Sequence, residues 1–157
     1  MKNLTLMTVF TLPFVSFSFA TNASEISSNL IASNINSGAH PTSARVQNAV
    51  HHFEIFVPKS GLSSLSIELP KGISVRDEIE VKNQNDEKIN AEVSINDRKA
   101  TIAFSQPVPA ETTLLIELNG VKTPGYSNAW NYRIYGTMVG IDREVPLGTR
   151  TVQTYDL

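Results

Sequence analysis

Cysteine is absent from the 157 residues, which removes disulfides, thiol nucleophiles, zinc–thiolate sites and iron–sulfur clusters together. Charge of one sign is lacking too. Thirteen Lys and Arg against fifteen Asp and Glu leave a formal net charge of −2, the wrong sign for general attraction to nucleic acid or an anionic bilayer. There is no Gly-rich phosphate cradle and no Gly-x-Ser-x-Gly nucleophile turn, so neither phosphoryl transfer nor hydrolysis by that class of serine enzyme has its usual signature. Only one apolar run is long, and it sits at the N-terminus.

That run defines an export signal over residues 1–20. Lys2 supplies a positive start, an uncharged stretch built on Leu6, Val9, Phe10, Leu12, Phe14, Val15, Phe17 and Phe19 follows, and small residues end it. Ser18-Phe19-Ala20 and Thr21-Asn22-Ala23 both offer a signal peptidase small side chains, giving a mature start at Thr21 or Ser24. Pro13 and the scattered Ser and Thr make the span poor as a permanent anchor. The chain is therefore expected to be exported, to the periplasm or beyond, with no membrane span in the mature part.

Residues 21–44 are rich in Ser, Asn, Ala and Thr and hold no sustained period. They read as a flexible lead-in whose removal, over residues 21–41, leaves the fold intact. A short amphipathic helix over residues 25–35 is the competing reading, because Ile26, Leu30 and Ile31 share a helical face.

From residue 45 to 157 the apolar period is two. Phe53, Ile55 and Val57; Leu65, Ile67 and Leu69; Ile79 and Val81; Ile89, Ala91, Val93 and Ile95; Ala100, Ile102 and Phe104; Leu114, Ile116 and Leu118; and Trp130, Tyr132 and Ile134 alternate with mostly polar neighbours. A last strand runs through Arg150 to Tyr155. Asn83 to Glu87 and Asn96-Asp97-Arg98 read as turns, and Pro107 and Pro109 bound a connecting loop. Strands at spacings near ten residues, without a helix-period segment, predict one all-β domain, an antiparallel β-sandwich of immunoglobulin-like architecture.

Candidate chemistry is sparse. His40, His51 and His52 are the only histidines, and weak candidates for copper or zinc, but neighbours on a strand point to opposite faces, so His51 and His52 cannot share an ion. They read as solvated. Asp77, Glu78 and Glu80, and Asp86 with Glu87, are acidic clusters beside turns without the spacing of a calcium loop. No acid pair lies in an aromatic setting that favours glycoside hydrolysis. The chain is therefore expected to be non-enzymatic, without a cofactor or a catalytic residue.

Tyr126, Trp130, Tyr132 and Tyr135 form an aromatic stretch. Trp130 and Tyr132 share the phase of Ile134 and belong to the core, whereas Arg133 and Tyr135 face outward as the candidate binding surface. The expected partner is an envelope protein or a polysaccharide, not nucleic acid. A periplasmic metal carrier and a small secreted hydrolase are the alternatives.

Phe53 to Pro58, Leu65 to Pro70 with Gly72, Ile79-Glu80-Val81, and Ile102-Ala103-Phe104-Ser105-Gln106-Pro107-Val108-Pro109, continued through Leu114 to Leu118, the Tyr132 strand and Tyr155, resemble a family of secreted cyanobacterial proteins classed as domain of unknown function 2808. The resemblance implies lineage and export, and brings no catalytic residues. A second likeness, to periplasmic copper-carrier sandwiches, rests on the Pro107-Val108-Pro109 turn and the upstream histidines. The chain lacks their N-terminal histidine and methionine-rich loop.

Overall fold

The computed structural model describes residues 36–157. The expected signal peptide, its expected cleavage sites and the alternative helix over residues 25–35 lie outside them.

The strands are β1 (Ser37–His40), β2 (Ala49–Phe56), β3 (Leu62–Glu68), β4 (Ser74–Val75), β5 (Ile79–Asn83), β6 (Ala91–Asn96), β7 (Lys99–Val108), β8 (Thr113–Lys122), β9 (Asn128–Met138) and β10 (Glu144–Thr154). They form two antiparallel sheets. In the first, β1, β2 and β8 are neighbours, and β4 and β5 share the far side of β8. In the second the order is β10-β9-β3-β7-β6. The architecture is the immunoglobulin-like sandwich that the alternating period predicts.

Alternation builds the core. Phe53 and Ile55 of β2, Leu114, Ile116 and Leu118 of β8, Leu65 and Ile67 of β3, Ile102 of β7, and Trp130, Tyr132 and Ile134 of β9 are all buried between the sheets. Trp130 is 1% exposed and Tyr132 is 0% exposed, so the aromatic strand has the phase its sequence predicts. Trp130 Nε1 donates to Thr154 Oγ1 at 2.9 Å, giving the buried indole N–H the acceptor it needs.

Turn chemistry fixes the register. Asp97 adopts φ 52° within the two-residue loop between Asn96 and Lys99, which are opposed, as a tight hairpin requires. Asn83 Oδ1 accepts from the amides of Asn85 and Glu87 and folds the polar turn after β5. Gly120 sits at φ 65° where two β8 residues oppose Val50 alone, a bulge that favours glycine.

Three expectations are corrected. The lead-in does not extend to residue 44: Ser37–His40 is a strand paired with Val50 to Phe53. The Ala44 amide then donates to the Tyr155 carbonyl at 2.8 Å, and Ala44 is fully buried. Pro107 lies inside β7 rather than in a loop, because β6 stops pairing at Phe104 and the chain beyond is bulged against β3. A proline costs no ladder bond there. The last strand starts at Glu144, with Pro146 and Gly148 absorbed at a register shift against β9.

Candidate functional site

The outer face of the second sheet gathers the exposed members of β9 with polar side chains from both flanks. Tyr135 lies opposite Ser66 of β3 and Pro146 of β10. One row away, Arg133 lies opposite Glu68, and Glu68 is in turn opposite Lys99 of β7. Arg133 is exposed and Tyr135 half-buried, as their phase predicts.

Two shallow depressions meet along this row. One, of about 450 Å³, is bordered by Tyr135, Glu144, Lys99, Asp97 and Asn96. The other, of about 300 Å³, is bordered by Arg133, Asn131, Lys71 and Pro70. Glu68 and Arg98 line both, so the depressions form one continuous trough.

Its electrostatics divide in two. The Glu144 carboxylate reaches from β10 across β9, accepts from Lys99 Nζ at 2.9 Å through each oxygen, and accepts from Ser66 Oγ. The Lys99 and Ser66 hydrogen bonds hold this carboxyl below its ordinary pKa, so it stays ionised. Arg133 approaches Glu68 only at 3.5 Å, an exposed contact of little strength. Arg98 and Lys71 have no carboxylate partner among the described residues. Beside Tyr135 the Glu144–Lys99 pair is therefore internally neutralised and Asp97 adds an unpaired carboxylate among the described residues, while the other half sets Arg133, Lys71 and the shared Arg98 around the single carboxylate of Glu68.

The histidines come apart. His40 is exposed at the end of β1, and His52 is half-buried on the outer face of the first sheet, its ring so close over Gly38 that a side chain there would touch it at 3.1 Å. His51 is not solvated, a further correction: it is 0% exposed, and Nδ1 lies 2.7 Å from Tyr132 Oη of the opposite sheet. The inward phase it shares with Phe53 and Ile55 carries it there. Burial, with His52 beside it, lowers its pKa to about 4, and burial raises that of the Tyr132 hydroxyl. Both groups are therefore neutral core partners. His51 Nε2 has no hydrogen-bond partner.

Among the described residues no three His, Asp or Glu side chains assemble into a metal-binding group. Of the acidic clusters, Glu78 and Glu80 face Lys88, and Asp86 faces Lys82. No described helix is long and apolar enough to cross a membrane. The sequence missed Ser66, Glu68, Lys71, Arg98, Lys99 and Glu144 as members of the face. Only strand order brings them to β9.

No curated protein matches the sequence. Among solved structures, a collagen-binding domain from a Staphylococcus aureus adhesin is similar at 10% identity and TM-score 0.45, covering 76% of this chain and 95% of that one. The major pilin subunit of Bacillus cereus is similar at 14% identity and TM-score 0.48, covering 76% of this chain and 40% of the pilin. An uncharacterized protein from Nocardia farcinica, itself of immunoglobulin-like fold, is similar at 13% identity and TM-score 0.45, covering 77% and 97%. The family profile matches residues 34–143, so it begins just before β1, ends just before β10, and takes in most of the trough; the chain belongs to the protein family of unknown function DUF2808.

Proposed function

We propose that the protein is an exported, envelope-associated, non-enzymatic binding module that holds an acidic segment of a protein partner in the trough on its second sheet, with Arg133 and Tyr135 at the centre. One observation carries this reading: Arg133, Arg98 and Lys71 line a single depression next to a half-buried tyrosine, with only a 3.5 Å contact to Glu68 among them. Guanidinium groups recognise carboxylates in a planar, bidentate way, and a tyrosine ring adds contact area at low entropic cost. The signal-like residues 1–20 support export. A non-enzymatic role is supported by where titration is perturbed. His51 and Tyr132 are sealed in the core, and Glu144 is held ionised, the opposite of what a general acid needs.

The test is retention by a native envelope preparation. The wild-type chain is expected to be retained and released by rising salt, as a charge-assisted contact predicts. The Arg133→Glu, Tyr135→Ala double variant should be retained several-fold less at an unchanged thermal midpoint. Protease treatment of the envelope should abolish retention; abolition by glycosidases instead would assign the trough to a polysaccharide. Equal retention of the two chains would remove the trough from the function.

A further inference from the structure

We infer that a second copy of this chain pairs with it edge to edge through β6, joining the two second sheets into one antiparallel sheet of ten strands. This goes beyond the binding trough, which meets β6 only at Asn96. The other sheet edges are blunted in the ways that prevent such pairing. β10 is covered by the chain around β1 and β2: Ser37 Oγ donates to the Thr151 carbonyl at 2.7 Å and Arg150 Nε to the Glu54 carbonyl at 2.8 Å. β1 has four residues. The β4–β5 edge is interrupted, carries Lys82, and is partly covered by its own returning chain, where the Ile89 amide donates to the Val81 carbonyl at 2.8 Å. β6 has none of these devices. Its six residues, AEVSIN, contain no Pro and no Lys, and its pairing with β7 has no register shift.

The free edge of β6 is self-complementary. The Ser105 amide donates to the Asn90 carbonyl at 3.0 Å, and Asn96 faces Lys99 across the two-residue turn. With the alternation of an antiparallel ladder, Asn90, Glu92, Ser94 and Asn96 turn their backbone groups toward β7, so those of Ala91, Val93 and Ile95 point away from it. No other described strand pairs with this edge. A two-fold axis at Val93 sets Val93 against Val93, and Ala91 against Ile95, of the second copy. All six outward backbone groups then become hydrogen-bonded.

Side chains agree with this register. Ala91, Val93 and Ile95 point to the inner side, where they are half-buried or, for Ile95, 37% exposed, and each copy covers the apolar rim of the other. On the outer side Glu92, the one charged residue of β6, falls opposite Ser94 of the second copy, a donor rather than a like charge.

Sedimentation equilibrium of the full chain over roughly 1 to 200 µM, the range of weak interfaces, should show a monomer–dimer equilibrium. Ser94→Glu places two carboxylates opposite the two Glu92 residues and should weaken the dimer at least about fivefold. Adding Glu92→Lys to it should restore the dimer. Val93→Pro, which removes an amide pointing away from β7, should give a monomer, and the Val93 and Ile95 amides should be slow to exchange in the dimer alone. A monomer throughout the range, a dimer indifferent to Ser94→Glu and Val93→Pro, or slow exchange of those amides already in the monomer, which would mean that the edge is covered by the chain itself, would each overturn the proposal.

Discussion

His51 and Tyr132 tie the two sheets together through one neutral hydrogen bond, and that choice of residues makes stability depend on acid. Above pH 6.5 the imidazole is neutral in folded and unfolded chains alike. Between 6.5 and its folded value of about 4, the unfolded chain takes up a proton that the core refuses, so stability falls with pH until the loss is complete below 4. The full difference is about 3 kcal/mol. Urea unfolding at pH 7 and pH 4 is expected to show a larger loss for the wild type than for His51→Leu. The comparison isolates His51, because Glu144, whose pKa is also depressed, titrates in both proteins. Tyr132→Phe alone should cost about 1 to 3 kcal/mol at pH 7, since it leaves His51 buried without any partner. Trp130→Ala should cost about 3 to 5 kcal/mol through the cavity it leaves, and native Trp130 should emit at short wavelength and resist iodide quenching. The inward phase of both rings was legible from Ile134. The burial of His51 was legible by the same rule, since it shares the phase of Phe53, but two adjacent histidines read more readily as a solvated pair.

Elements were legible where an apolar period was uninterrupted. β2, β3, β5, β7, β8 and β9 each carry alternating large side chains, and these have no other way to leave water together. β1 was not legible, because Ser37-Gly38-Ala39-His40 offers one small apolar residue and is held by pairing with β2. Its pairing reverses the outcome expected of a truncation. Deleting residues 21–41 removes β1, uncovers one side of β2 and opens the contact with β10, so thermal unfolding should show a midpoint more than roughly 5 °C lower, corresponding to about 1 kcal/mol or more. An unchanged midpoint would mean that β1 adds nothing to the domain. The start of β10 was hidden in the same way by Pro146 and Gly148, which signal a loop unless a bulge at a sheet edge accommodates them.

At the scale of the whole molecule, the two sheets divide the work: their facing sides make the core, and the outer side of the second makes the trough. The outward phase of Arg133 and Tyr135 was readable from period two. Their companions were not, because Glu68 lies 65 positions from Arg133 and no local pattern reports which strands become neighbours. The proposed trough puts the partner on the second sheet and not on the first. A photoreactive side chain placed singly at Asn131 or Tyr135 on the second sheet, or at Phe56 on the outer face of the first, and activated in the intact envelope, measures this directly. Protease-sensitive adducts are expected from positions 131 and 135 and none from position 56. Adducts from position 56, with 131 and 135 silent, would contradict that placement.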